Sequence, residues 1–304
     1  MSKVVMNLII IIFAAFICNI PAQTDSFTIL AVQGKVLLSK NKPVMWSNLK
    51  IGDRFSGDSK IKLSKDSYAG MIYSNGTSIE LHQPGIYDCS TLKSLTLNTQ
   101  ISSNKKFMDF VLKELSKKID NPLEMKVTGA VVRGRINYIA AGMPFNTCII
   151  DPIVNFKWYP DERTDYYNFK ILDGENRTLY IKKLQDTSIT ININLFNNPG
   201  NSCFKWIVSN YEKLEISSDT NYIIKFTQLQ TEAIKDSVEQ LNEILGKEQS
   251  ALNQIILAEF YQRNNLNIDA LNGYKKAVSL APKVKIYSAM FKEFLNKVDL
   301  TRIY

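Results

Sequence analysis

One histidine, His82, is all that a chain of 304 residues contains. Serine and cysteine triads need a positioned imidazole, and most metal sites need several, so that scarcity leaves one place where such chemistry could start. His82 closes an expected strand in Ile79-Glu80-Leu81-His82-Gln83-Pro84 and reads as an edge-strand residue. A glycine-rich phosphate loop, a nucleophile elbow and a paired-cysteine metal motif are also missing. Residues 127–134, VTGAVVRG, carry two glycines but no Lys-Ser or Lys-Thr after Gly134, and read as a strand or extended linker. The acidic residues lie mainly in turns and on helix faces. No motif fixes two of them at the roughly 5–9 Å that glycoside cleavage requires. No cofactor and no catalytic residue is expected.

Cysteine is scarce as well, with four in the chain. Lys3, the apolar run Leu8 to Cys18 and the following Asn19-Ile20-Pro21-Ala22-Gln23 have the layout of a secretory signal over residues 1–22, with cleavage expected near Ala22. The apolar run is short of the roughly 20 residues of a membrane span, so a membrane association is expected only if this segment stays uncleaved. Its removal takes Cys18 and leaves Cys89, Cys148 and Cys203 to meet an oxidising compartment. Cys148 and Cys203 fall in one β region and are the expected pair, with Cys89 a free thiol; burial of all three as small hydrophobes is the alternative. The site of action is then periplasmic or extracellular, at the cell envelope.

Formal charge is +8, or 8 − 1 = +7 without Lys3. The excess is local: residues 97–135 hold eight basic and four acidic residues, whereas 228–304 hold ten and nine. Export, and basic residues without stacked aromatics between them, argue against a nucleic-acid partner. An envelope protein, a peptide or an anionic glycan suits this charge better. Oligomeric state is left open.

Residues 26–97 alternate apolar and polar positions in short runs broken by turn residues, the pattern of an all-β unit. Asn75-Gly76, between Tyr73 and Ile79, predicts a hairpin whose two central residues both take positive φ. The order Val32-x-Gly34-x-Val36, Trp46, Leu49, Gly52-Asp53, Gly57, Ser67-x-Ala69, Asn75-Gly76-Thr77, Ile79 and Leu81 resembles the FecR-type periplasmic domain. The resemblance implies a β fold that binds another envelope component. A linking amphipathic helix is expected over 104–121, with Phe107, Phe110, Val111, Leu115 and Ile119 on one face and lysines on the other.

Residues 127–226 form a second expected β unit of about seven short strands, a two-sheet sandwich with Trp158 and Trp206 facing each other across its core. The early Trp158 and the late Phe204-x-Trp206-x-Val208 resemble a fibronectin-III or immunoglobulin-like domain, which implies a spacer or binding platform. The acidic run Asp161-Glu162-x-x-Asp165 lacks the spaced oxygens of a calcium loop and reads as a solvated turn.

From Thr227 the period becomes helical, and residues 228–304 are expected to be all-α. Leu229, Ala233, Val238, Leu241 and Leu245 share one face of a helix that ends at Gly246. Leu257, Ala258, Tyr261, Ala270, Tyr274, Ala277 and Pro282 then resemble one tetratricopeptide repeat, with Gln254 where an aromatic is usual. The small residues let two helices approach, and a last helix carries Ile286, Met290, Phe291, Phe294, Leu295 and Val298. The resemblance implies a partner-binding face at Leu252, Ile255, Glu259 and Gln262. The expected function is that of a secreted, non-catalytic envelope binding or scaffold protein of bacterial type. A cell-surface hydrolase working through carboxylates and a signal-anchored envelope sensor are the alternatives.

Overall fold

The computed structural model describes residues 25–40, 45–96, 137–196, 202–246 and 250–300. The signal at 1–22, the linking helix at 104–121 and the run 127–134 lie outside the described residues. Along the chain come a β-rich region with several sheets and then four helices. Among the described residues no helix is long and apolar enough to cross a membrane.

The first β unit holds β1 (Phe27–Gln33), β2 (Val36–Ser39), β3 (Ser47–Asn48), β4 (Arg54–Phe55), β5 (Lys60–Leu63), β6 (Tyr68–Tyr73), β7 (Ser78–Leu81) and β8 (Gly85–Asp88). They make two four-stranded antiparallel sheets, ordered β4-β1-β6-β7 and β3-β2-β5-β8. Both contribute to one core, with Phe27, Ile29 and Met71 from the first and Leu38, Ile61 and Leu63 from the second. A short helix, α1 (Cys89–Ser94), was not expected. Asp88 caps it by accepting from the Thr91 amide at 2.8 Å, and Leu92 buries its apolar side.

The β6–β7 hairpin differs from the expected two-residue turn. Tyr73 and Thr77 close it, with Tyr73 N donating to Thr77 O at 2.8 Å, and the loop is Ser74-Asn75-Gly76. Of these only Gly76 has positive φ, +98°. Asn75 instead accepts the Thr77 amide on its side chain at 2.9 Å. A tight turn completed by one left-handed glycine fits the strand twist as well as a two-residue turn does.

The second unit holds β9 (Asn146–Ile149), β10 (Ile153–Lys157), β11 (Tyr167–Leu172), β12 (Thr178–Leu184), β13 (Ser188–Asn192), β14 (Cys203–Asn210) and β15 (Asn221–Lys225). A five-stranded sheet runs β12-β11-β14-β15-β9, in which β9 and β15 are parallel, and β10 pairs with β13 in a separate ribbon. Sheet and ribbon share a core that includes Val154, Phe156, Ile191, Phe204 and Trp206. Trp158 and Trp206 do not meet directly. Phe169 lies between them, stacked at 5.7 Å from one and 6.1 Å from the other.

The expected Cys148–Cys203 disulfide does not form. Cys203 pairs with Ile224, and Ile224 pairs with Cys148, so a whole strand separates the two sulfurs. Two strand spacings are about 10 Å, well beyond the roughly 7 Å that a disulfide can bridge between Cα atoms. Cys89, Cys148 and Cys203 are all free thiols.

The helices are α2 (Gln228–Leu245), α3 (Ala251–Arg263), α4 (Asn267–Leu280) and α5 (Lys285–Lys297). Thr227 and Gln230 form a capping box at the start of α2, and Gly246 ends it with φ +83°. α3 and α4 make a tight hairpin. Ala258 and Ala270 are fully buried, and Gly273 marks a close approach of the two helices, where an added Cβ would stand 3.0 Å from that of Ala258.

Candidate functional site

β6 is buried at all six positions, although a strand with one solvated face should alternate. Ala69, Met71 and Tyr73 point into the core of the first unit, while Tyr68 and Ile72 point the other way, into the core of the helices. Leu30 and Ala31 of β1 join them, opposite Tyr287, Met290 and their neighbours. The helices therefore close the outer face of the first sheet with a shared apolar core.

A polar network seals the same joint. The Tyr68 and Tyr287 hydroxyls are 2.7 Å apart and buried. Burial pushes both phenols far above their ordinary range, so both remain neutral hydrogen-bonding groups. Glu80 of β7 accepts the Leu252 amide at 2.5 Å, an anion placed on the first turn of α3, while the hydroxyl of the cap residue Ser250 accepts from Asn253 N at 3.2 Å. Ser78 donates to the Asn253 side-chain oxygen. His82 rests its Nε2 3.2 Å from the second Glu80 oxygen, and its side chain is 56% exposed.

Ser78, Glu80 and His82 include the residue types of a hydrolytic triad, but they occupy alternate positions along one extended run. At about 3.3 Å per residue, Ser78 and His82 are about 13 Å apart, too far for proton transfer between them. Asp161 is likewise engaged. Both its oxygens take hydrogen bonds from the Arg163 guanidinium, at 2.8 and 2.5 Å, and that partner holds the carboxyl below its ordinary range.

The expected partner face on α3 is turned inward. Leu252 and Ile255 are buried in the core shared with the first unit. Glu259 and Gln262 are buried too, and both accept from the Tyr274 hydroxyl, Gln262 at 2.9 Å. The chain itself occupies the surface these four residues were expected to offer.

The open surface lies on nearly the opposite side of α3. Gln254, Leu257 and Tyr261, spaced three and four residues along α3, face Lys235, Val238, Glu239 and Asn242 of α2 across a groove of about 700 Å³. Ile150 closes one end, beside the second β unit. The groove exists because α2 buries side chains fully only near its C-terminal end. Leu241, Ile244 and Leu245 are buried, but Leu229 is 77% exposed and Ala233 is also exposed, contrary to the single buried face expected from their spacing. The helical period was readable in the sequence; which stripe of α3 would be covered depended on where the first β unit docks.

The arrangement defines a class: a β-rich, multi-unit chain whose C-terminal helices are held against both β units and leave an interhelical groove open. No protein-family model matches the sequence, and no curated protein matches it. The functional reading rests on the residues themselves.

Proposed function

We propose that this chain is an exported, non-catalytic scaffold of the cell envelope that acts by recognising a protein or peptide partner, with the groove between α2 and α3 as its receiving surface. The single observation that carries the reading is that groove: two helical stripes with Val238, Leu257 and Tyr261 on its walls, kept apart while both neighbouring faces of α3 are filled. A groove of several hundred Å³ with an apolar floor and a polar rim is the usual form of a site that accepts a side of another molecule.

In this reading the first unit is a FecR-like domain, supported by the turn glycines at Gly34, Gly52, Gly57 and Gly76, all at positive φ. The second is an immunoglobulin- or fibronectin-like sandwich. Its second and fifth strands pair apart from its third, sixth and seventh, the division of strands known from that architecture. The helices α3 and α4 read as one tetratricopeptide-like pair, supported by the small-residue contact of Ala258 with Gly273.

Capture from envelope extract by the full chain tests the function. Deleting residues 228–304 is the wrong control, because it would strip the cover from Leu30, Tyr68 and Ile72. The better control is Leu257→Lys, which places a charge in the groove at a half-buried position on the margin of the shared core and leaves its fully buried side chains in place. A partner retained by the wild type is the expected result. Retention of nothing, together with N-terminal sequencing that finds the protein unexported, would remove the reading.

A further inference from the structure

Carboxylates outnumber amines on the α2 wall of the groove. Glu239 and Glu243 line it from α2, where the only amine is that of Lys235. At the end near Ile150, Asp269 lies close enough to act electrically on Tyr261, and Asp151 lies close enough to act on Asp269. Burial first, and then the like charge of Asp151, raise the Asp269 carboxyl above its ordinary range.

The shape of the vacancy is that of a helix. α3 and α4 pack along their lengths and α5 covers them, whereas the middle of α2 has its apolar side only half-buried at Ile234 and Val238. From Lys235 to Leu245 the α2 wall is about 15 Å long, and from Gln254 to Tyr261 the α3 wall is about 10 Å, at 1.5 Å per residue. Two to three turns of a third helix would fill that length and complete a three-helix contact. A second copy offering its own α2 would bring four acids and one lysine to a surface that is already acidic, so charge disfavours it.

Building on the recognition role above, we infer that the α2–α3 groove binds a basic amphipathic helix of a partner protein, whose apolar stripe packs on Val238, Leu257 and Tyr261 and whose lysines or arginines meet Glu239 and Glu243. The mode is that of a helix laid into a hydrophobic groove, with rim charges choosing the partner and its direction.

The test uses the full chain and three synthetic 18-residue peptides. One carries leucines at i, i+3, i+4 and i+7 with lysines on the other face, one has glutamates in place of the lysines, and one has the lysine composition in scrambled order. Titration followed by fluorescence anisotropy should show binding of the lysine peptide at least tenfold tighter than of either control. Glu239→Lys combined with Glu243→Lys should weaken it at least tenfold, as should Leu257→Lys, while Leu229→Lys on the exposed face of α2 leaves it unchanged. Circular dichroism of each variant checks that the helices persist, and Glu239→Gln with Glu243→Gln gives a milder version of the same loss should the reversed charges unfold α2. Equal binding of the three peptides, or binding untouched by these substitutions, overturns the inference. So does a wild-type chain that fails to bind the peptide while its Phe107→Ser, Phe110→Ser variant binds it, which would make residues 104–121 of the chain itself the occupant, or a concentration-dependent dimer that the peptide dissociates. A partner captured from extract with the groove substitutions in place would sink the groove and leave the scaffold role standing. Peptide binding with no captured partner would do the reverse.

Discussion

The two β units meet the same helices in different ways. The first gives up the outer face of a sheet: Leu30, Ala31, Tyr68 and Ile72 belong to the helices' core rather than to its own. The second has an aromatic core of Phe156, Trp158, Phe169 and Trp206 to which the helices add only the half-buried Ile268, and it meets them mainly along one strand edge. There Cys148 N donates to Asn265 O at 2.7 Å, Asn267 donates its side-chain amide to Asn146 O at 2.6 Å, and its backbone amide donates to the Thr147 hydroxyl at 3.1 Å. The α3–α4 turn thereby covers the open edge of β9, which would otherwise invite pairing with another chain. The first contact is apolar burial, which binds two bodies into one folding unit; the second is a handful of hydrogen bonds, each worth about 1 kcal/mol net.

The most disruptive test of this contrast is Phe169→Ala. Removing the ring between the two tryptophans should cost about 3–5 kcal/mol. Hydrogen exchange should show protection lost through the second unit and retained in the first unit and the helices. A loss spread evenly over the chain would mean that the second unit is not separate.

Tyr287→Phe attacks the other joint. It removes one partner of the buried Tyr68 hydroxyl while Glu80 remains beside it, and should cost about 1 kcal/mol, and Tyr68→Phe on top of it should cost less than the sum of the two single changes. Gly70→Ala tests the same place sterically. Its Cβ would stand 2.9 Å from the Tyr68 oxygen and 3.3 Å from that of Tyr287, so denaturation of β6 and α5 should shift together.

Asn267→Ala probes the edge contact and should cost about 1 kcal/mol, loosening β9 in hydrogen exchange without affecting β6. The smallest change expected is at Asp269→Asn. An acid raised by burial takes up its proton more readily when folded than when unfolded, so its contribution to stability falls as pH rises from the ordinary aspartate range through its folded value. The asparagine variant should lack that slope and unfold at slightly higher urea than the wild type at pH 7, with the difference vanishing near pH 3.

Much of this architecture was readable beforehand. Gly246 closes α2 and Thr227 with Gln230 opens it, because capping is local chemistry. The run Tyr68-Ala-Gly-Met-Ile-Tyr73 also carried a signal that passed unused: it does not alternate, as befits a strand covered on both faces. Tyr287 was missed because its apolar ring ends in a hydroxyl, and its worth lies in Tyr68, more than two hundred residues away. The four residues expected to meet a partner were correctly placed on one helix face, yet periodicity cannot say which face another unit will cover.

The sequence by itself determined which stretches are β and which helical and where α2 is capped, since those follow from the spacing of apolar side chains and from capping groups within a few residues. Only the tertiary structure decided that Leu252, Ile255, Glu259 and Gln262 face inward, that Cys148 and Cys203 stand a strand apart, and that Leu257 and Tyr261 border an open groove. Each of those outcomes depends on which surfaces meet across long stretches of chain, and burial of apolar area has no direction in sequence until the units dock.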